Sequence, residues 1–197
     1  MKSAPRIILA STSIYRHDLL SRLGFAFDTQ SPTTDEQPLA EEPPEALVYR
    51  LAEAKARSIA AHYPNALIIG SDQVAVLDGD ILGKPGDLAT NIRQLSNATG
   101  RRVTFLTGVC LLNTKTNQAD VGVIPFSVVF RKLTLSQISN YVDREKPFDC
   151  AGGFKSESLG IALFERMEGE DPTALVGLPL ISLVSMLERQ GVDVLGG

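Results

Sequence analysis

Ala66-Leu67-Ile68-Ile69-Gly70-Ser71-Asp72-Gln73-Val74-Ala75-Val76-Leu77 is the stretch on which the reading of this chain turns. The apolar run that reaches Ile69 reads as a buried strand, and an apolar stretch resumes at Val74 after the polar step Gly70-Ser71-Asp72-Gln73. A strand that delivers a carboxylate to an abrupt polar step is how α/β proteins place reactive groups at sheet ends. Asp78-Gly79 follows as a hairpin turn signal. The expectation is a strand region interrupted at the polar step and then turned back.

Upstream, Arg6–Ala10 reads as a buried strand, and Ser11-Thr12-Ser13 supplies helix N-cap chemistry. Leu19, Leu20 and Leu23 mark the apolar face of a helix that Gly24 stops. Residues 25–29 predict a second strand, and residues 31–44 a polar, proline-bearing connection long enough to carry function. Pro43 or Pro44 opens a helix to about His62, with Leu47, Leu51, Ala54 and Ile59 roughly on one face. Downstream, a helix is expected over 87–100. Two long strands, 102–113 and 118–133, are joined by the turn Thr114-Lys115-Thr116-Asn117. Then come a helix over 136–145, a Gly- and Ser-rich loop over 151–160 and a strand over 161–165. The last helix, 175–189, is interrupted near Gly177-Leu178-Pro179 and stopped by Gly191. This order predicts one mixed α/β domain over 1–197, with parallel and long antiparallel strands and flanking helices, not a uniform doubly wound sheet.

Composition narrows the function class. The 197 residues are 44% hydrophobic and 21% charged, ordinary for a globular protein, with a net charge of −4 that gives a nucleic-acid surface no support. No stretch reaches the length of a membrane span, and the early apolar run is too short for a signal peptide, so a cytoplasmic protein is expected. The two cysteines, Cys110 in an apolar run and Cys150, do not make a disulfide scaffold. With two histidines, His17 and His62, a His-rich zinc site and a Ser-His-Asp relay are both poorly supplied.

The remaining polar residues sort into cations for a polyphosphate and acids for a metal and a water. Ser11-Thr12-Ser13-Ile14-Tyr15-Arg16 sits at a strand-to-helix turn, where unpaired N–H groups, hydroxyls and Arg16 suit phosphate oxygens. Asp35-Glu36 and Asp72 could hold a divalent cation and deprotonate an attacking water. Lys55 lies between small neighbours on a helix, and Lys84 is held between Gly83 and Pro85. Each has a bland alternative: an ordinary N-cap, surface acids, a snorkelling lysine, a surface turn, and for Phe154-Lys155-Ser156-Glu157 a flexible connector. Gly83-Lys84-Pro85 is not a Walker A loop, since the spaced upstream glycine and the following Ser/Thr are missing.

The order of these motifs resembles the Maf (septum-formation-inhibitor-like) family of nucleoside triphosphate pyrophosphatases. The matching elements are Leu9-Ala10-Ser11-Thr12-Ser13 with Arg16, Asp35-Glu36, Arg50-Leu51-Ala52 with Lys55-Ala56, Gly70-Ser71-Asp72-Gln73 and Gly83-Lys84-Pro85. Thr107-Gly108-Val109, Phe130-Arg131, Ala151-Gly152 with Lys155-Ser156-Glu157, and Val176-Gly177-Leu178-Pro179 complete them. They span about residues 7 to 190. Ile14 and Tyr15 depart from the usual Pro-Arg. With Gln73 and Glu157, this looks like the branch that hydrolyses 7-methyl-GTP rather than the dTTP/UTP branch.

The resemblance implies cleavage between the α- and β-phosphates with a divalent cation (Mg, Mn or Co). It implies a two-lobed fold around a cleft, related to inosine triphosphate pyrophosphatases. Asp72 becomes the proton acceptor, Glu36 with Asp72 the metal ligands, and Ser11, Arg16, Lys55 and Lys84 the phosphate contacts. Tyr15, Gln73 and Glu157 become the specificity positions. Their chemistry agrees: N7-methylation makes guanine cationic, which suits an aromatic face and a nearby carboxylate. The implied partner is a nucleotide, with no nucleic acid or membrane, and a homodimer is left open. Pyrophosphatases for other nucleotides and a nucleotide-binding regulator of cell division are the alternatives. A pure binding module would not need both Glu36 and Asp72.

Overall fold

In the computed structural model, which describes residues 5–196, seven strands form one mixed sheet. These are β1 (Arg6–Ala10), β2 (Asp28–Gln30), β3 (Ala66–Leu77), β4 (Asp80–Leu82), β5 (Arg102–Asn113), β6 (Gln118–Phe130) and β7 (Phe164–Gly169). Their order is β2-β1-β3-β5-β6-β7, with β4 also paired to β3. β1 runs parallel to β2 and β3, and every later pairing is antiparallel. Helices α1 (Ile14–Ser21), α2 (Pro44–Ser58), α3 (Leu88–Ala98), α4 (Leu135–Glu145) and α5 (Leu180–Arg189) flank it. This is the mixed α/β architecture expected. Among the described residues no helix is long and apolar enough to cross a membrane.

Local chemistry sets the helix starts. The Ser13 hydroxyl accepts from Arg16 N, Asp87 accepts from Thr90 N, and Thr134 with Gln137 forms a capping box. α2 begins on Pro44, whose missing N–H costs nothing at that position. Period-two alternation then divides the sheet's side chains between two faces. Ile7, Leu9, Ile69 and Leu111 pack on α1 and α5, while Ile8, Ile68 and Cys110 pack on Ala52 and Ala56 of α2. A separate cluster joins the far ends of β5 and β6 to α3 and α4. Its centre is Phe105, Phe130, Phe154 and Phe164, edge-to-face at 4.8–5.7 Å between ring centroids. The long strands β3, β5 and β6 thus run through two lobes.

Several segments differ from the sequence reading, among them β6, which ends at Phe130, and the last helix, which starts at Leu180 after a 3-10 turn over Pro172–Val176. β3 is one unbroken strand of 12 residues, because β5 pairs with it straight through the polar step. β2 is shorter and later than residues 25–29, since Phe25 and Phe27 leave the sheet to pack against the α1 side of the core. α2 ends at Ser58 and a 3-10 turn, Ala60–His62, completes the segment. β7 starts at Phe164, because Leu159–Leu163 winds into a 3-10 turn that brings Gly160 N to Lys155 O at 3.1 Å. Cys110 and Cys150 are both free thiols, the first buried.

Candidate active site

The site forms where β3 loses a neighbour. β1 leaves it after the Ala10–Gly70 pair, and β4 joins only at Ala75. Residues 71–74 therefore have a strand on one edge only, and Ser11-Thr12-Ser13 opens off the end of β1 into the gap. A cleft of about 640 Å³ occupies this place, and Ser11, Arg16, Glu36, Lys55, Asp72 and Lys84 all line it. Every proposed phosphate and metal residue is thus brought to one cavity.

Two glycines make the central contact. Asp72 lies opposite Gly108 on β5 and shares its sheet face with Gly70. A Cβ on Gly70 would collide with the Ala52 carbonyl oxygen, and one on Gly108 with that of Val48. α2 therefore rests directly on the sheet, which lowers Lys55 onto Asp72. The Lys55 ammonium donates to Asp72 Oδ1 at 2.6 Å and to Glu36 Oε1 at 2.7 Å. Lys55 is 6% and Asp72 7% exposed, so this is a buried ion pair with Glu36 closing it from the solvent side. Burial works against the Glu36 carboxylate, but the Lys55 hydrogen bond and charge, aided by Lys84 and Arg16, outweigh it and hold its pKa below the usual value.

Glu36 comes from the 31–44 connection, which is not loose there. Arg50 of α2 grips Glu42 through Nε to Oε1 at 2.6 Å and Nη2 to Oε2 at 2.7 Å, and donates to Gln37 O at 3.1 Å. Asp35 points elsewhere: its carboxylate accepts from Gln37 N in a local turn. The opposite sheet face carries Ser71 and Gln73. Ser71 Oγ bonds Gly108 O and Gly177 O, and Arg16 Nε donates to Gly177 O at 2.8 Å. Burial lowers the Arg16 pKa, and the nearby Asp72 and Glu36 pull it back up.

A second, smaller chamber of about 150 Å³ adjoins the first, and Ser13, Tyr15, Arg16, Gln73, Lys84 and Asp149 line both. Here Tyr15, Gln73 and Glu157 meet, as the resemblance implies. Gln73 Nε2 donates to Ala174 O at 2.7 Å, Leu175 O at 3.2 Å and Thr107 Oγ1 at 2.9 Å. Two backbone carbonyls demand the NH₂ group, so only the Gln73 carbonyl oxygen is left to face a ligand. Glu157 rides on the Gly-rich segment, which is pinned rather than a flexible connector. Phe154 is locked in the aromatic cluster, Lys155 N donates to Tyr141 Oη at 3.0 Å, and buried Asn91 donates to Gly153 O at 2.9 Å.

Sequence reasoning missed Asp149, an acid without periodic pattern beside Cys150. It quoted Thr107 in a motif but gave it no role; its hydroxyl bonds Ala174 O at 2.9 Å and accepts from Gln73. Among the described residues no group of three or more His, Cys, Asp or Glu side chains gathers as a metal cage. The donor set does fit a divalent ion held jointly with a nucleotide. Glu36 and Asp72 converge on a single ammonium, and Mg²⁺ typically takes one or two carboxylates with substrate phosphates and waters.

Comparison with known proteins decides the lineage. Residues 6–190 match the family model described as Maf-like protein. The chain belongs to the Maf-like family. Among this Maf-like chain's curated relatives is a Nitrosococcus oceani protein named 7-methyl-GTP pyrophosphatase, 55% identical over 97% of this chain and 96% of that one. Proteins of the same name from Aliivibrio fischeri and Pseudomonas aeruginosa are 55% and 54% identical. They cover 96% of this chain each, and 98% and 99% of their own lengths.

Proposed function

We propose that this chain is a nucleoside triphosphate pyrophosphatase that hydrolyses 7-methyl-GTP to 7-methyl-GMP and pyrophosphate, a house-cleaning activity against modified nucleotides in the cytoplasm. The names of its relatives support the reading. The observation that carries it is a pair of adjoining chambers that gathers cations for phosphates and, beside Tyr15, acids without a salt-bridge partner. At the larger end Lys55 bridges the acids Glu36 and Asp72, and Arg16 and Lys84, which line both chambers, are available to phosphates. At the smaller end Glu157 and Asp149 have no cationic partner among the described residues, beside the Tyr15 ring. A molecule with a polyanionic tail and a positively charged base matches both ends at once.

In this mechanism Ser11, Arg16 and Lys84 take the triphosphate, and Lys55 passes from the acids to a phosphate oxygen as the substrate enters. Glu36 and Asp72 would hold a divalent cation, which supplies positive charge to the phosphate oxygens when bound. Asp72 accepts the proton of a water whose oxygen bonds to phosphorus at the α–β bridge. The bridge breaks, and its electron pair leaves on the bridging oxygen. Tyr15 stacks on the base, Glu157 accepts from its edge N–H groups, and the Gln73 carbonyl oxygen is the remaining acceptor.

A pyrophosphate-release assay over a nucleotide panel with Mg²⁺, Mn²⁺ and Co²⁺ tests the reading. The expected kcat/KM is higher for 7-methyl-GTP than for GTP, dTTP or UTP, and Asp72→Asn lowers turnover by about 10² to 10⁴ with the fold intact. Equal rates on 7-methyl-GTP and dTTP would overturn the substrate, and wild-type turnover in the mutant would overturn the base.

A further inference from the structure

Asp149 stands at the junction of the two chambers and lines both. Its backbone is fixed by its neighbours. Phe148 O accepts from Gly86 N at 2.9 Å, and Cys150 N and Cys150 O bond to Pro147 O and Gly153 N. The Cys150 thiol lies 3.6 Å from Asp149 Oδ1 and donates to it. No lysine or arginine pairs with Asp149 among the described residues, although Arg16 and Lys84 line the same chambers.

Asp149 and Glu157 both line the chamber that holds Tyr15. The Tyr15 phenol is pushed up to about 12, first by burial, then by Cys150, and further by the negative charges of Asp149 and, less strongly, Glu157. Asp149 and Tyr15 line the same small chamber, so a base held on Tyr15 comes within the field of the Asp149 charge. Glu36 and Asp72 have a built-in counter-cation in Lys55, whereas no salt bridge is made by Asp149 or Glu157 among the described residues.

We propose that Asp149 is a second specificity-determining carboxylate, which selects the positive charge of an N7-alkylated purine stacked on Tyr15 while Glu157 takes the hydrogen-bonding edge. The inference rests on the 7-methyl-GTP reading and adds a residue to it. The methyl group places a full charge on the five-membered ring of the base. That charge pairs with Asp149 as stacking displaces water from the chamber, and a neutral base leaves Asp149 partly desolvated with no counter-charge. Discrimination then follows the charge of the base, not the volume of the methyl group.

The test compares three substrates: 7-methyl-GTP, GTP, and 7-methyl-7-deaza-GTP, which keeps the methylated shape and lacks the charge. Steady-state kcat/KM is measured for wild type, Asp149→Asn, Asp149→Glu and Cys150→Ser. In the wild type, 7-methyl-GTP is expected to exceed its deaza analogue. Asp149→Asn is expected to shrink that gap about five- to tenfold, with the fall carried by 7-methyl-GTP. Asp149→Glu, which keeps the charge, and Cys150→Ser, which keeps the carboxylate, are expected to retain most of the gap. A wild type without preference for 7-methyl-GTP over GTP overturns the proposed function itself. A wild type with that preference and an unchanged gap in Asp149→Asn overturns the role of Asp149 alone. An equal change on all three substrates would place Asp149 at the phosphates and overturn it as well. A loss in Cys150→Ser equal to that in Asp149→Asn would make Asp149 a positioning group for Tyr15, against the proposal.

Discussion

Lys55→Met removes one ammonium and keeps the aliphatic stem, which makes it a direct probe of how the acids are held. In the wild type that ammonium bonds Asp72 at 2.6 Å and Glu36 at 2.7 Å. Breaking a buried pair by deleting one partner destabilises by about 3–5 kcal/mol, because the other charge is left uncompensated. Asp72 is buried and meets this condition, whereas the Glu36 side chain is 59% exposed and contributes little. The lower end, about 3 kcal/mol, is the appropriate figure. For a chain of this size each kcal/mol moves Tm by about 2–4 °C, so the loss is about 6–12 °C. The assay is thermal unfolding at pH 7 in chelator, without nucleotide. The mutant's lost stability should return in part with millimolar Mg²⁺ or Mn²⁺, since an ion that binds only the folded state stabilises it by mass action. The wild type, whose acids are already occupied by Lys55, should move less. A mutant Tm within about 2 °C of wild type in chelator would refute the argument that Lys55 compensates Asp72.

Glu157→Gln should erode discrimination between 7-methyl-GTP and GTP by about tenfold, more than it lowers activity overall, since both bases offer the same edge N–H groups and only the cationic base also loses its attraction to the carboxylate charge; paired kcat/KM values check it. Gly108→Ala should lower stability by about 1–3 kcal/mol and depress turnover, because the new methyl group meets the Val48 carbonyl oxygen and lifts α2, with Lys55, off the sheet; chemical denaturation and pyrophosphate release measure the two effects. Acid should release the loop that carries Glu36. The Arg50 hydrogen bond pulls the Glu42 carboxyl down to about 2, against opposing desolvation. A depressed carboxylate contributes stability that is present above its unfolded value and lost as pH falls through its folded value. Amide exchange at residues 36–42, corrected for its intrinsic pH dependence, should therefore lose protection as pH falls from about 4.3 toward 2, and Arg50→Met should remove that pH dependence.

What the sequence made legible was local. The Ser11-Thr12-Ser13 cap announces α1 and the Asp78-Gly79 turn announces β4, because each acts through the backbone of a few neighbouring residues. The misreadings share a different cause. Ser71 and Gln73 look like a strand break because their polar groups have no local partner. Their partners, Gly108 O, Gly177 O and Ala174 O, are 37, 106 and 101 residues away. Phe25 and Phe27 alternate like a strand, yet they are spent on the core beside α1, where His17 and Phe27 rings lie 5.2 Å apart. In both cases a long-range contact overrides a periodic pattern.

The site divides the same way. The cations and acids could be named from ordered motifs, but nothing in their spacing says that Lys55 and Asp72 touch. That contact depends on Gly70 and Gly108, whose missing side chains let α2 come down onto the strands. Those glycines determine more than packing. Because the helix sits low, Lys55 is buried with Asp72 and also reaches Glu36, whose carboxylate it helps hold in its charged form. A carboxyl group must be ionised to accept a proton or to hold a cation. The lysine that keeps both acids ready also occupies their meeting point. Substrate phosphates, as the competing anions, are the natural means of drawing it away. In the proposed mechanism the arrival of a polyphosphate thus frees Asp72, so that the base is unmasked when there is a bond for it to break.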